Sequence, residues 1–118
     1  MKRKTLRFGK GFRLAIANSR SQAAEMVIAP GDKQGGSENS HRGSDQWLFI
    51  VDGHGTAIVN GHRYPLKTGV VMLIEQGDAH EIQATGDTPL RTLNIYVPPA
   101  FRDADTPLPA GRPLTKRG

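Results

Sequence analysis

Residues 69–80 read Gly-Val-Val-Met-Leu-Ile-Glu-Gln-Gly-Asp-Ala-His, and they say more about the architecture than any other segment. The apolar run Val70–Ile74 has the length and composition of a β-strand, and Gly77 marks a tight turn after it. His80 follows that turn. Upstream, His41 precedes a second apolar run, Trp47–Val51, which also ends at a glycine turn. Two histidines beside strands and glycine turns predict a small β-barrel that encloses a metal ion or a small ligand.

Length and composition limit the class of protein. The chain has 118 residues, the size of one domain, and it has no cysteine. Disulfides, thiolate metal sites and cysteine nucleophiles are therefore excluded, and a cytoplasmic location is expected. The longest apolar runs are far too short to span a bilayer, so no membrane association is predicted. Arg7, Lys10 and Arg13 interrupt the apolar core that a secretion signal would need.

The positive charge is concentrated in the termini. Residues 1–20 carry a net charge of +7, residues 21–100 carry −4, and residues 101–118 carry +2. A basic arm can bind phosphate backbones. However, neither a recognition-helix pattern nor a basic strand with interleaved aromatic residues accompanies it. We therefore expect a solvated or dimer-edge arm and do not expect nucleic acid as a partner.

Short apolar runs separated by turn residues predict an all-β domain. Fourteen glycines and eight prolines divide the chain into segments of strand length, and helical periodicity is nearly absent. Predicted strands cover residues 12–17, 25–29, 47–51, 56–59, 62–66, 70–74, 81–84 and 90–97. Asn60-Gly61 predicts a type I′ hairpin. We expect an antiparallel β-barrel of jelly-roll type over residues 12–100, a basic arm over 1–20, a polar loop over 33–40 and an irregular tail over 101–118.

Two segments resemble the motifs of the cupin family, whose fold is a double-stranded β-helix. Gly69, Gly77 and His80 match the glycines and the histidine of the second motif, G-x5-P-x-G-x2-H-x3-N, while Glu75 and Ala84 replace its proline and asparagine. Before Gly53, the first motif, G-x5-H-x-H-x3/4-E-x6-G, places Asn39 and His41 at its two histidines and Gln46 at its glutamate. The resemblance covers about residues 36–98, and the arrangement His41-x3-Asp45-Gln46 resembles that of small mannose-6-phosphate-isomerase-like members.

The resemblance implies a metal site inside the barrel. Cupins bind Fe, Mn, Ni or Zn through these motif positions, so the expected ligands of a divalent metal ion are His41, Gln46 and His80, with Asn39 as a weak fourth. Alternation along the strand places Gln46 on the same face as Leu48 and Ile50. A one-residue shift in register would instead turn Asp45 inward. Alternatively, His80 could hydrogen-bond an organic ligand without metal, and Gln46 could bond only within the barrel.

The resemblance also implies a small-molecule ligand and a homodimer. The first functional hypothesis is a metal-dependent isomerase, lyase or dioxygenase that acts on a sugar or a keto/enol acid. The second is a non-catalytic ligand-binding or regulatory protein without tightly bound metal, because glutamine removes the only anionic ligand of the set. Catalytic residues are not assigned. Glu75 and Glu81 could reach the pocket as bases, while Trp47 is expected on the outer face or in the dimer interface.

Overall fold

The computed structural model describes residues 1–36, 43–103 and 106–108. Within them the regular structure consists of strands: β1 (Gly11–Ala17), β2 (Gln22–Ile28), β3 (Lys33–Gly36), β4 (Asp45–Asp52), β5 (His54–Val59), β6 (His62–Lys67), β7 (Val71–Ile74), β8 (His80–Ala84), β9 (Leu90–Val97), β10 (Phe101–Asp103) and β11 (Thr106–Pro107). The all-β prediction is confirmed. No described segment forms a helix with the length and apolar character needed to cross a membrane.

Two antiparallel sheets pack face to face. The first has the strand order β1-β2-β9-β4-β7, and the second has the order β3-β8-β5-β6. Strands that neighbour one another in a sheet are mostly distant in sequence, as in a jelly roll. The short strands β10 and β11 pair with each other.

The core lies between the inner faces of the two sheets. Strand β4 alternates strictly, with Gln46, Leu48 and Ile50 buried and Trp47 and Phe49 exposed. Its apolar inner side chains join residues of both sheets in one hydrophobic cluster. Since side chains of a strand alternate between its two faces, this register fixes which polar residues face the interior.

A two-residue hairpin joins β5 to β6. Asn60 and Gly61 both have positive φ, of 50° and 85°. This conformation is the one that a type I′ turn requires, so the hairpin prediction is confirmed. Asparagine and glycine tolerate it at small cost, which explains why this dipeptide stands here.

The sequence prediction was wrong for part of the loop that follows β2. Residues 33–36 form β3 and pair with β8, with Gly36 opposite His80. The segment is polar and rich in glycine, and therefore has little strand propensity. Its pairing instead satisfies backbone groups of β8, which would otherwise form the edge of the second sheet. Similarly, β10 and β11 lie in the tail that was expected to be irregular.

Candidate ligand and metal site in the barrel

Gln46 is the central polar residue of the inner face. It is 2% exposed and lies on β4 opposite Ile74 of β7 and Tyr96 of β9. Its Nε2 donates a hydrogen bond of 2.8 Å to Oδ1 of Asn94. Its Oε1 is buried and has no hydrogen-bond partner. A buried acceptor without a partner is uncommon, and its presence calls for an explanation such as a bound ion or ligand.

Asn94 and Thr92 support Gln46 from β9. Both are fully buried on the same inner face. Asn94 Nδ2 donates to Oγ1 of Thr92 at 3.0 Å, and Thr92 Oγ1 donates to the backbone carbonyl of Met26 at 2.8 Å. A continuous chain of hydrogen bonds thus runs from the backbone of β2 to the amide of Gln46.

His80 comes from the other sheet. It begins β8, is 4% exposed, and shares the inner face of that strand with Ile82 and Ala84. Its Nδ1 lies 3.3 Å from the carbonyl oxygen of Asp78. A carbonyl can only accept, so this contact favours a proton on Nδ1 and leaves the lone pair on Nε2. Burial lowers the pKa of the imidazole, against the opposing effects of the Asp78 carbonyl and carboxylate, and this favours the neutral ring that metals bind.

The loop of residues 75–79 brings the two side chains to the same end of the barrel. It leads from Ile74, the partner of Gln46, to His80. The backbone N–H of Gln76 donates to Oδ1 of Asp45 at 3.0 Å, which ties the loop to the start of β4.

Asn60 fixes the other side of that loop. Its Nδ2 donates to Oδ1 of Asp78 at 2.8 Å, and its Oδ1 accepts from the backbone N–H of Ala79 at 3.0 Å. The backbone N–H of Asn60 also donates to the carbonyl of Ala79 at 2.8 Å. The hairpin tip therefore holds the two residues that immediately precede His80.

The remaining predicted ligands lie outside the described residues or on other surfaces of the protein. His41 and Asn39 lie outside the described residues. Asp45 is half-buried on the face opposite Gln46, and its Oδ1 accepts the Gln76 bond. His54 and His62 are exposed. In the part of the chain that the structure describes, no three His, Cys, Asp or Glu side chains form a group able to hold a metal.

The carboxylates near the second motif do not supply an anionic ligand. Glu75 is exposed. Glu81 alternates with the inward side chains of β8, accepts a hydrogen bond from Gln83 and lies 3.7 Å from Lys33. Asp78 uses both oxygens, one for Asn60 and one for the backbone N–H of Glu75. Among the described residues Glu25 is the only fully buried acid, and it alternates with the core residues Ala24 and Met26 on β2.

The described donors therefore consist of one imidazole and one amide oxygen. Both groups are neutral and both are of a kind that coordinates divalent cations, so they fit such a cation when a bound anion balances its charge.

An open groove elsewhere does not coincide with these donors. It has a volume of about 510 Å³ and is lined by residues 31–33 and 83–86, at the far end of β8 from His80. None of its lining side chains is a buried polar group. The unsatisfied oxygen of Gln46 is the more specific indication of a site, because it marks a buried atom that lacks a partner.

Sequence reasoning missed Asn94 and Thr92. The signal was present, since strand β9 reads Leu-Arg-Thr-Leu-Asn-Ile-Tyr-Val. Period-two alternation places Thr92 and Asn94 on one face with Leu90 and Tyr96, and the structure buries all four. Small polar residues at inward positions of an apolar strand would have identified them.

The family model described as "Cupin domain" matches residues 24–96. The chain belongs to the cupin family. It is 31% identical over 83 residues to the "Oxalate-binding protein" of Thermotoga maritima, covering 70% of this chain and 67% of that protein. It is 29% identical over 95 residues to the "Tetracenomycin polyketide synthase protein TcmJ" of Streptomyces glaucescens, covering 75% and 62%. The cupin thus spans less than two thirds of the second of these curated relatives.

Solved structures agree with the fold. A Thermotoga maritima protein described as "a predicted oxalate decarboxylase" matches with a TM-score of 0.61 at 30% identity, and the match covers 67% of each chain. A Bacillus halodurans protein has a TM-score of 0.74 at 22% identity, with 80% of this cupin and 75% of that chain covered. At 22% identity, the likeness to the Bacillus halodurans protein shows the fold alone.

Proposed function

We propose that this cupin binds a divalent metal ion in its barrel through His80, Gln46 and His41, and that the ion presents a small polar organic acid to the interior. The observation that carries the proposal is the buried Oε1 of Gln46, which lacks a hydrogen-bond partner on the inner face. The neutral imidazole of His80 supports it from the opposite sheet. A bound metal would act as a Lewis acid that orients an oxygen of the organic molecule and stabilises developing enolate charge.

The charge of the site favours an anionic molecule. The described ligands carry no negative charge, so an acid that binds the metal would provide the missing compensation. A keto/enol acid meets this requirement better than an uncharged sugar. A curated protein and a solved structure, both from Thermotoga maritima and 30–31% identical to this chain, have names that refer to oxalate, which is therefore the first compound to test. An isomerase, a lyase or a dioxygenase would each use such a complex.

Metal analysis of purified protein tests the proposal. Protein prepared without added metal should contain close to one equivalent of Fe, Mn, Ni or Zn, and His80→Ala should lose it. His62→Ala is the matched control, because His62 is an exposed histidine on β6. Calorimetry with oxalate should give binding to the loaded protein and none to His80→Ala. Metal-free wild type, or equal metal contents in the two variants, would refute the proposed metal site.

A second candidate is a ligand-binding or regulatory cupin without metal. The specific observation in its favour is the neutral donor set of the described residues, which weakens affinity for a divalent ion. Mass spectrometry of the native protein separates the two. An organic molecule retained without metal, and released by Gln46→Leu, would favour the second candidate.

The proposal includes a homodimer that uses the outer face of the first sheet. Trp47 faces Leu73, and Phe49 faces Val71, across β4 and β7. The four side chains are 45%, 41%, 40% and 60% exposed, and Val97, Ile95 and Leu93 of β9 extend the patch. A contiguous apolar patch of this kind marks an interaction site in soluble proteins. It has the composition of the core of a standard interface, which buries about 800 Å² per partner.

Analytical ultracentrifugation tests the dimer. Wild type should sediment as a dimer and Trp47→Glu as a monomer, while Tyr64→Glu, an equally exposed aromatic on the other sheet, should remain dimeric. The emission of Trp47, the single tryptophan, should shift to the red on dilution through the dissociation constant. A monomeric wild type, or a dimeric Trp47→Glu, would refute this interface.

A further inference from the structure

One backbone carbonyl determines which group donates and which accepts in each hydrogen bond that links β2 to Gln46. The carbonyl of Met26 can only accept, so the Thr92 hydroxyl must donate its single proton to it. Thr92 Oγ1 can then only accept from Asn94, which turns Nδ2 of Asn94 toward Thr92.

The same logic fixes the two amides in sequence. With Nδ2 directed at Thr92, Oδ1 of Asn94 faces Gln46 and requires a donor. Gln46 must therefore direct Nε2 toward Asn94, at 2.8 Å, and leave Oε1 for the remaining contact. The backbone carbonyl of Met26 thus determines the orientation of both amides through three hydrogen bonds.

This polarity limits what Gln46 can contact. Its free atom is a carbonyl oxygen, which binds a cation or accepts from an N–H or O–H group. A bare carboxylate at that position would place two acceptors together in a buried setting, where unmatched polar groups are costly. The reverse amide orientation would instead present two N–H donors and attract the carboxylate.

We propose that the hydrogen-bonded chain Thr92–Asn94–Gln46 determines the ligand specificity of the site, because it presents an acceptor to the barrel interior. An organic acid is therefore bound through a metal ion and not by Gln46 directly. Thr92 and Asn94 are therefore positioning residues that act through Gln46. The inference rests on the proposed function, since it takes the Gln46 end of the barrel as the place where a metal ion and an organic acid bind.

Thr92→Val is the decisive variant, and Thr92→Ser is its matched control. Valine keeps the shape of threonine but removes the hydroxyl, so Asn94 loses the bond that fixes its orientation. Serine retains the hydroxyl and the donor to Met26. Thermal melting of each variant shows whether it is folded.

Calorimetry with Mn²⁺ alone, oxalate alone and both together gives the first readout. Wild type and Thr92→Ser should bind Mn²⁺, and should bind oxalate only when Mn²⁺ is present. Thr92→Val should lose about 10- to 100-fold in Mn²⁺ affinity, the usual effect of removing a residue that orients a metal ligand. Mn²⁺ affinity equal to wild type in folded Thr92→Val would overturn the inference. The inference would also be overturned if metal-free wild type binds oxalate and Gln46→Leu abolishes that binding.

The second readout does not depend on any ligand. In metal-free wild type, the side-chain amide protons of Gln46 should show nuclear Overhauser contacts to Asn94, and in Thr92→Val this single orientation should be lost. If wild type binds neither Mn²⁺ nor oxalate, the proposed function fails while these contacts still decide the orientation. Amide protons of Gln46 that instead contact the apolar interior of wild type would overturn the inference.

Discussion

Gln46 Nε2 donates to Asn94 Oδ1 across β4 and β9, and this bond leaves the other polar atom of Gln46 buried without a partner. The two polar atoms of the side chain therefore have different roles. One end of the amide is engaged in the protein, and the other is available to a ligand.

Replacing Gln46 with glutamate should have opposite effects on the metal-free and the metal-bound protein. The carboxylate cannot donate to Asn94, so the metal-free protein should lose about 1–3 kcal/mol of stability. The same charge compensates a divalent ion, so metal affinity should rise at least about tenfold, or about 1.4 kcal/mol. Urea denaturation and calorimetry measure the two effects.

Gln76→Glu is the control for the Gln46 variant. Gln76 is exposed in the loop before His80, so its replacement by glutamate adds the same charge outside the barrel. It should change neither stability nor metal affinity appreciably. An equal gain in affinity for both variants would mean that the added charge acts from a distance and that Gln46 is not a ligand.

Asn60→Gly should loosen the loop that carries His80. Glycine accepts the positive φ of Asn60, so the variant removes the two side-chain bonds to Asp78 and Ala79 without backbone strain. We expect a loss of about 1–3 kcal/mol in unfolding free energy and weaker metal binding. Unchanged metal affinity in the folded variant would show that the hairpin tip does not position His80.

The His80 imidazole should titrate below 6.5 in the metal-free protein, because burial lowers its pKa. Between the folded and unfolded pKa values the unfolded chain then holds more protons, so stability rises with pH and falls as the pH drops below about 6.5. Nuclear magnetic resonance of the ring gives the pKa. Unfolding of His80→Asn should show a weaker pH dependence in this window, and a ring that titrates at 6.5 or above would contradict the prediction.

Gly53→Ala and Gly69→Ala form a matched pair. Both glycines have positive φ, of 106° and 96°, so each alanine variant should lose about 1–2 kcal/mol from backbone strain. A Cβ at Gly53 would also lie 2.6 Å from the Pro89 carbonyl oxygen, whereas a Cβ at Gly69 meets open space. The Gly53 variant should be less stable by a further 1–3 kcal/mol or so. Equal urea midpoints would refute this close packing.

The fold could be predicted because its signals are local. Alternation along residues 45–52, the Asn60-Gly61 turn and the glycines around the second motif each specify strands or turns. Pairing of Lys33–Gly36 with β8 could not be predicted, because two of its four residues are glycines and its role comes from a distant strand. Strand propensity is a property of one segment, whereas the choice of the segment that pairs with an edge strand depends on the whole sheet.

The site was predicted less completely. Motif spacing selected Gln46 and His80, and alternation placed Gln46 inward. The amide polarity of Gln46 depends on Thr92, Asn94 and the carbonyl of Met26, and Thr92 and Met26 are 66 residues apart along the chain. Only the folded register brings them together. His41, the third predicted ligand, lies outside the described residues and stays a prediction.

Anomalous diffraction from crystals grown with Mn²⁺ tests the metal site most directly. We expect one strong peak inside the barrel, coordinated by His80 Nε2 and Gln46 Oε1. An interior with no anomalous peak, or a peak bound only by surface side chains, would contradict it.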